Sequence, residues 1–194
     1  CILIFLSIVS LASPSFGANV YIIPPELLKE VDTHYQNLTA SPNSLEARFE
    51  LAMSYAYTGQ IENGWATLKE LPKEYSNEVI KKYEPLVSQY PKNWKYPFKL
   101  AFGYYFKDKK DKAIELFDRS YQNNPKNIWP VGFKALIKGE QGKVDEAISL
   151  CQEALKKEPK ATAIHFLLAE GYRQKGDYLK AMMEVMIVGR LKTA

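Results

Sequence analysis

Residues 142 to 161, "GKVDEAISLCQEALKKEPKA", are the most informative part of the sequence for predicting the fold, because other parts of the chain repeat them. When Ala147 is aligned with Ala113 and Ala181, thirty-four residues away on either side, "KKDKAIELFDRSYQNNPKN" and "GDYLKAMMEVMIVGRLK" fall into the same frame. Self-similarity at a fixed period of this size is typical of repeat architectures. The sequence therefore predicts a chain built from several copies of one small structural unit.

Each unit is predicted to be a helix, a tight turn and a second helix, followed by a turn that contains proline. Apolar residues recur at helical spacing in both halves of a unit, and in one unit they are Leu100, Ala101, Tyr104, Ala113, Ile114 and Phe117. Gly59, Gly142 and Gly176 stand at the inner turns, where we expect the left-handed backbone that ends a helix. The unit with Asp108 at this turn lacks the glycine.

The repeat register slips once, between Gly64 and Ala113. The excess over one period predicts an inserted helix at about residues 72–93, kinked or interrupted near Pro85 because proline removes a helical hydrogen bond. Residues 19–43 are predicted to form an extended segment and a capping helix that opens on proline. The apolar face of that helix is expected to comprise Leu27, Val31, Tyr35 and Leu38.

These units resemble the tetratricopeptide repeat, over about four copies at residues 45–71, 94–125, 128–159 and 162–188. The matching positions in the last copy are Leu168, Ala169, Tyr172, Gly176, Tyr178, Ala181, Val185 and Val188. The resemblance implies an all-α fold over residues 44–194, an α-solenoid of stacked helix-turn-helix repeats that forms a right-handed superhelix.

The first residues of the sequence indicate export. Residues 1–18 carry no charge and combine an apolar run from Ile2 to Ala12 with a Ser/Pro/Gly segment, which is typical of a cleaved signal peptide. We expect a periplasmic or extracellular location, with an uncleaved membrane anchor as the alternative. Once this segment is removed, Cys151 is the single cysteine, and its place on an apolar helix face predicts a buried side chain.

The composition gives no indication of catalysis or of nucleic-acid binding. The 26 basic and 22 acidic residues are well mixed, so the excess is too small to argue for a nucleic-acid partner. His34 and His165 are the only histidines, and no phosphate-binding loop, cysteine pair or catalytic triad pattern accompanies them. We expect a non-enzymatic protein without metal or cofactor.

Function is then expected in a surface that binds a protein or peptide segment. The resemblance implies that the first helix of each unit lines a concave groove, and the side chains predicted to bind there are Phe49, Met53, Tyr57, Phe98, Phe102, Tyr105, Phe106, Trp129, Phe133, Leu136, Phe166 and Arg173. For Phe49, Phe98 and Phe166, packing between helices is an equal alternative. The extended segment at 19–25 is itself apolar enough to lie against a repeat.

One specialised form of the family grips the terminal carboxylates of chaperone tails with Lys, Asn and Arg side chains. Here Lys95 and Lys99 stand at such positions among aromatic residues and without asparagine, which disfavours that role.

The helix at 178–192 is apolar nearly all round, so we expect a continuing chain, a partner, a second copy or a membrane surface to cover it. Three hypotheses follow. The first is an exported interaction scaffold or assembly factor, the second an accessory domain or subunit of a cell-envelope enzyme, and the third an oligomer that assembles through this helix.

Overall fold

The computed structural model describes residues 21–193, which form helices and contain no strand. The helices are α1 (Pro25–Ala40), α2 (Leu45–Tyr57), α3 (Ile61–Leu68), α4 (Tyr75–Gln89), α5 (Lys95–Phe106), α6 (Lys110–Asn123), α7 (Trp129–Glu140), α8 (Val144–Lys157), α9 (Thr162–Gln174) and α10 (Tyr178–Thr193). The predicted signal segment, residues 1–18, lies outside the described residues.

The helices pack in chain order as stacked hairpins. Helix α2 packs on α3, α5 on α6, α7 on α8 and α9 on α10, and each of these pairs corresponds to one predicted unit. Between units, α6 packs on α7 and α8 on α9, so that each hairpin buries its apolar face against the next one. The predicted α-solenoid is confirmed.

The inserted helix lies within the predicted range and takes the place of a second helix. Gly171 of α9 approaches Ile148 of α8 so closely that a Cβ there would lie 2.8 Å from the Ile148 side chain. In the same way, a Cβ at Gly103 of α5 would lie 3.0 Å from Val79 and Ile80 of α4. Helix α4 therefore packs before α5 as α8 packs before α9, while α3 is an additional short helix.

Helix α4 runs without a break through Pro85, so the expected interruption is not present. Because the Pro85 side chain is exposed, water can solvate the carbonyl group that the proline leaves without a donor.

The N-terminal helix α1 packs on α2, as predicted, and its first turn contains Pro25. Leu27 and Val31 are buried, but Tyr35 is 59% exposed, so its place on the packed face was predicted wrongly. At 100° per residue, His34 lies about 20° from Leu27 on the helix circumference, whereas Tyr35 lies about 40° beyond Val31, at the edge of the packed face. His34 accordingly has a half-buried side chain beside Glu30.

The inner turns have the predicted backbone. Gly59, Gly142 and Gly176 have φ values of 79°, 75° and 80°. Asp108, at the turn without glycine, takes the same left-handed conformation with φ 57°. The turn geometry is thus kept even where the residue disfavours it.

Among residues 21–193, no helix combines the length and the apolar character that crossing a bilayer requires.

Candidate functional site

Most of the aromatic side chains predicted to line an open groove lie in the hydrophobic core. The buried members of that set are Phe49, Met53, Tyr57, Phe98, Phe102, Trp129 and Phe133. For Met53, Tyr57, Phe102, Trp129 and Phe133, the prediction of an exposed surface is wrong. For Phe49 and Phe98, the alternative of packing between helices is the one observed. Phe98, Phe102 and Phe133 pack with Phe117 of α6 in the stack of α5, α6 and α7. Two further features of the fold account for the burial of Phe49, Tyr57 and Trp129.

The first feature is helix α4. Tyr75 and Tyr83 of α4 stand with their ring centroids 6.0 and 6.1 Å from Phe49 of α2. The inserted helix therefore covers the start of the α2 face, which the repeat alone would leave open.

The second feature is a contact between α2 and α7, which belong to the first and third hairpins. The buried Asn127 side chain donates a hydrogen bond of 2.9 Å to the backbone carbonyl of Tyr57. The Trp129 ring lies directly over Gly59, and the edge of Tyr21 contacts Trp129 with the centroids 5.4 Å apart. Tyr21, the first described residue of the predicted extended segment, thus lies against a repeat, as the apolar sequence of the segment suggested.

Four side chains around this closed region stay at least partly accessible and form one continuous patch, which we call the aromatic strip: Trp65, Tyr105, Phe106 and Leu136. The Tyr105 ring centroid lies 6.4 Å from Trp65 and 5.5 Å from Phe106, and Phe106 is 40% exposed. Trp65, Tyr105 and Leu136 also line a small apolar cavity of about 10 Å³ above the core phenylalanines. Trp65 was missed by the sequence analysis because it belongs to a second helix, and only its size marked it as notable.

One edge of the aromatic strip is polar. The Tyr105 hydroxyl donates a 2.7 Å hydrogen bond to Glu140, whose other carboxylate oxygen lies 3.2 Å from the Lys110 ammonium group. Burial, followed by the hydrogen bond to Glu140, raises the pKa of Tyr105, so the hydroxyl remains a donor at neutral pH. The strip therefore offers apolar contact beside a fixed charge pair.

The predicted residues of α9 lie apart from this strip. Phe166 is half-buried, and Arg173 is exposed, with two 2.6 Å hydrogen bonds to the Glu170 carboxylate. For Tyr105, Phe106, Leu136, Phe166 and Arg173, partner binding stays a prediction.

The two lysines of α5 at the positions of a carboxylate clamp are engaged inside the protein. Lys99 pairs with Glu50 of α2, and Lys95 pairs with Glu30 of α1. Burial would raise the pKa of the Glu50 carboxyl, but attraction to Lys99 and hydrogen bonds from Lys99 and Tyr83 outweigh it and lower the pKa to about 2. Both ammonium groups are thus neutralised by the chain's own carboxylates.

His165 and Cys151 are buried in the packing of the helices. His165 is buried, with Nδ1 2.6 Å from Glu184 and Nε2 2.9 Å from the Pro159 carbonyl oxygen. Cys151 is buried as predicted, and burial raises the pKa of its thiol to about 12, which leaves it protonated and unreactive. Within residues 21–193, no group of three or more His, Cys, Asp or Glu side chains is placed to hold a metal ion.

The comparisons with known proteins concern the fold. Residues 140–183 match the family model described as Tetratricopeptide repeat. The crystal structure of MamA is similar over 84% of this chain and 86% of its own, with a TM-score of 0.56 and 17% identity. TTC0263, described as a thermophilic TPR protein in Thermus thermophilus, is similar over 83% of this chain and 80% of its own, with a TM-score of 0.56 and 17% identity.

A chain in the crystal structure of the APC/C hetero-tetramer Cut9-Hcn1 is similar over 85% of this chain but only 29% of its own, with a TM-score of 0.57 and 17% identity. A search of the curated proteins gave no match. The shared fold defines the class of protein as a helical-repeat solenoid. Within that class, the resemblance to the tetratricopeptide repeat is confirmed, with the sequence match placed on the third and fourth hairpins.

Proposed function

We propose that the protein is an exported, non-enzymatic interaction scaffold that holds a segment of a partner protein on its aromatic strip. The observation that carries this proposal is the accessible patch of Trp65, Tyr105, Phe106 and Leu136 on an otherwise closed helical face. Aromatic side chains on a rigid support are typical centres of binding energy at protein interfaces. The solenoid fold supplies such a support, because each helix is fixed by its neighbours.

The chemistry of the strip favours a peptide over a charged or polar ligand. Its centre consists of aromatic rings and one leucine, and its edge carries the Lys110 and Glu140 pair, with charges of both signs. A partner segment with two or three apolar side chains next to a polar backbone or side-chain group fits this arrangement. The internal pairing of Lys95 and Lys99 argues against capture of a terminal carboxylate.

The proposed export depends on residues 1–18, whose uncharged apolar sequence motivates it. Fractionation of the native host with an antibody against the chain tests this part separately. Recovery of the chain from the periplasm or the medium supports export, and recovery only from the cytosol refutes it.

Site-specific photo-crosslinking in the native host tests the binding surface. The reactive side chain is placed at Phe106, with an exposed control position at Glu153 on α8, and captured proteins are identified by mass spectrometry. We expect one partner protein to be captured at Phe106 and not at Glu153. Equal capture at both positions, or none at Phe106, would refute the proposed site.

A matched pair of substitutions tests whether the strip supplies the affinity. With the reactive side chain placed at Leu136 of the same strip, Phe106→Asp should reduce capture of that partner at least tenfold, because it places a charge in an apolar contact. Tyr90→Asp is the control, because Tyr90 is 47% exposed, aromatic and at the end of α4. If both variants capture the partner as well as the unaltered chain does, the strip is not the binding surface.

A further inference from the structure

Helix α10 carries a broad apolar face that nothing in the described chain covers. Six of its side chains are between 49% and 71% exposed, namely Tyr178, Leu179, Met182, Met183, Val185 and Met186. Their positions follow the i, i+3, i+4, i+7 spacing, so they lie on one continuous side of the helix. The opposite side packs inward, with Val188 buried and Glu184 bonded to His165.

The equivalent helices of the preceding units show which contact this side of α10 would make. The corresponding sides of α4, α6 and α8 each receive a helix, respectively α5, α7 and α9. Ile148 of α8 contacts α9 at Gly171, and Met182 of α10 stands thirty-four residues after Ile148 in the repeat frame. The exposed side of α10 thus has the position and the apolar character of a helix-docking face.

From the area and chemistry of this face, we propose that its occupant is a second copy of the same chain, which packs its own α10 against it about a two-fold axis. In such a dimer the same patch serves both partners. From their exposed fractions, the six side chains together offer on the order of 700 Å², so a dimer that covers most of this face approaches the ~800 Å² per partner of a stable interface.

The composition of the face favours a matching apolar surface. None of the six exposed side chains is charged, so most of the area that the face offers to a partner is apolar. In the part of the chain that the structure describes, the other exposed large apolar side chains are dispersed over α1, α2, α5, the residue after α4 and the segment before α1. An antiparallel pair of α10 helices also places opposite ends of the two helix dipoles together. Three methionines allow the two faces to adjust to each other.

Sedimentation equilibrium of the full chain at micromolar concentration tests the dimer. We expect the mass of two chains for the unaltered protein and of one chain for Met182→Glu/Met186→Glu, with self-association at least about a hundredfold weaker. The control is Tyr35→Glu on α1, where a side chain of similar exposure is replaced by the same charge, and it should stay dimeric. Circular dichroism checks that each variant keeps its helices.

A monomeric unaltered chain, or a double variant that keeps the mass of the unaltered protein, overturns the proposal.

A second measurement identifies the occupant directly. A photo-reactive side chain at Met183, in a mixture of ordinary and nitrogen-15-labelled chains, should produce a cross-linked peptide that joins a light α10 to a heavy α10. Cross-links to any other helix refute the pairing, and so do cross-links to a different protein when the same reactive chain is expressed in the host. Neither measurement depends on the aromatic strip, so the two proposals fail independently.

Discussion

Among the described residues, Asp108 is the one non-glycine residue with a positive φ. It has φ 57° at a turn where the other hairpins use glycine, and an L-residue in the left-handed region costs roughly 1 kcal/mol. Its side chain offers little compensation, because the contact to Lys110 is 3.8 Å long and exposed.

We therefore expect Asp108→Gly to raise the free energy of unfolding by about 0.5–1 kcal/mol, measured by urea denaturation. The reverse substitution, Gly142→Ala, is the matched control. It should lower the free energy of unfolding by about 1 kcal/mol through the backbone alone, since a Cβ at Gly142 would meet no neighbouring atom within 4 Å. An Asp108→Gly variant no more stable than the unaltered chain would contradict this account.

Among the single elements, the turn between α2 and α3 both ends a helix and leaves room for the Trp129 ring. Gly59 has the same positive φ as Gly142 and Gly176, but a Cβ there would lie 2.0 Å from the Trp129 ring. The other two glycines face open space. The docking of α7 against α2 thus depends on the absence of a side chain at this one position.

Gly59→Ala should consequently destabilise the protein by at least about 2 kcal/mol more than Gly142→Ala or Gly176→Ala, because it adds a clash with Trp129 to the shared backbone cost. Thermal unfolding of the three variants, followed by circular dichroism, gives the comparison. Equal losses in all three would mean that the Trp129 ring moves aside without cost.

The sequence predicted the elements well and their distant packing poorly. Gly59, the period of thirty-four and the proline turns were sufficient to predict the hairpins, because these signals act within a few residues. The burial of Phe49 and Trp129 depends instead on α4 and Tyr21, which lie outside the repeat register. A pattern that describes contacts between successive units carries no information about a helix or segment that folds back over them.

In the molecule as a whole, two ion pairs connect helices α1 and α2 to α5. Glu30 of α1 pairs with Lys95, and Glu50 of α2 pairs with Lys99. In each carboxyl, interactions with neighbouring groups outweigh the effect of burial and lower the pKa from 4.5 to about 2. Carboxyls with lowered pKa values stabilise the fold above pH 4.5, and this stabilisation is lost as the pH falls from 4.5 towards 2.

The free energy of unfolding should thus decrease over that acidic range, and Glu50→Gln should make the decrease smaller. At pH 7 the same variant should be less stable by roughly 3–5 kcal/mol, because Lys99 is then buried without a counter-charge. Urea denaturation at a series of pH values measures both effects, with the exposed Glu62→Gln as control. If Glu50→Gln unfolds with the same pH dependence as the unaltered chain, the Glu50 carboxyl is not a source of acid sensitivity.

The hydrogen bond from Asn127 to the Tyr57 carbonyl has a mechanical consequence. A solenoid in which each hairpin contacts only its neighbours can stretch and bend like a spring. Here the bond and the Trp129 contact connect the first hairpin to the third, so extension of that part requires breaking buried contacts. Under a pulling force, the hairpin of α9 and α10 would peel away first. The first three hairpins would meanwhile resist the load as one stiff body.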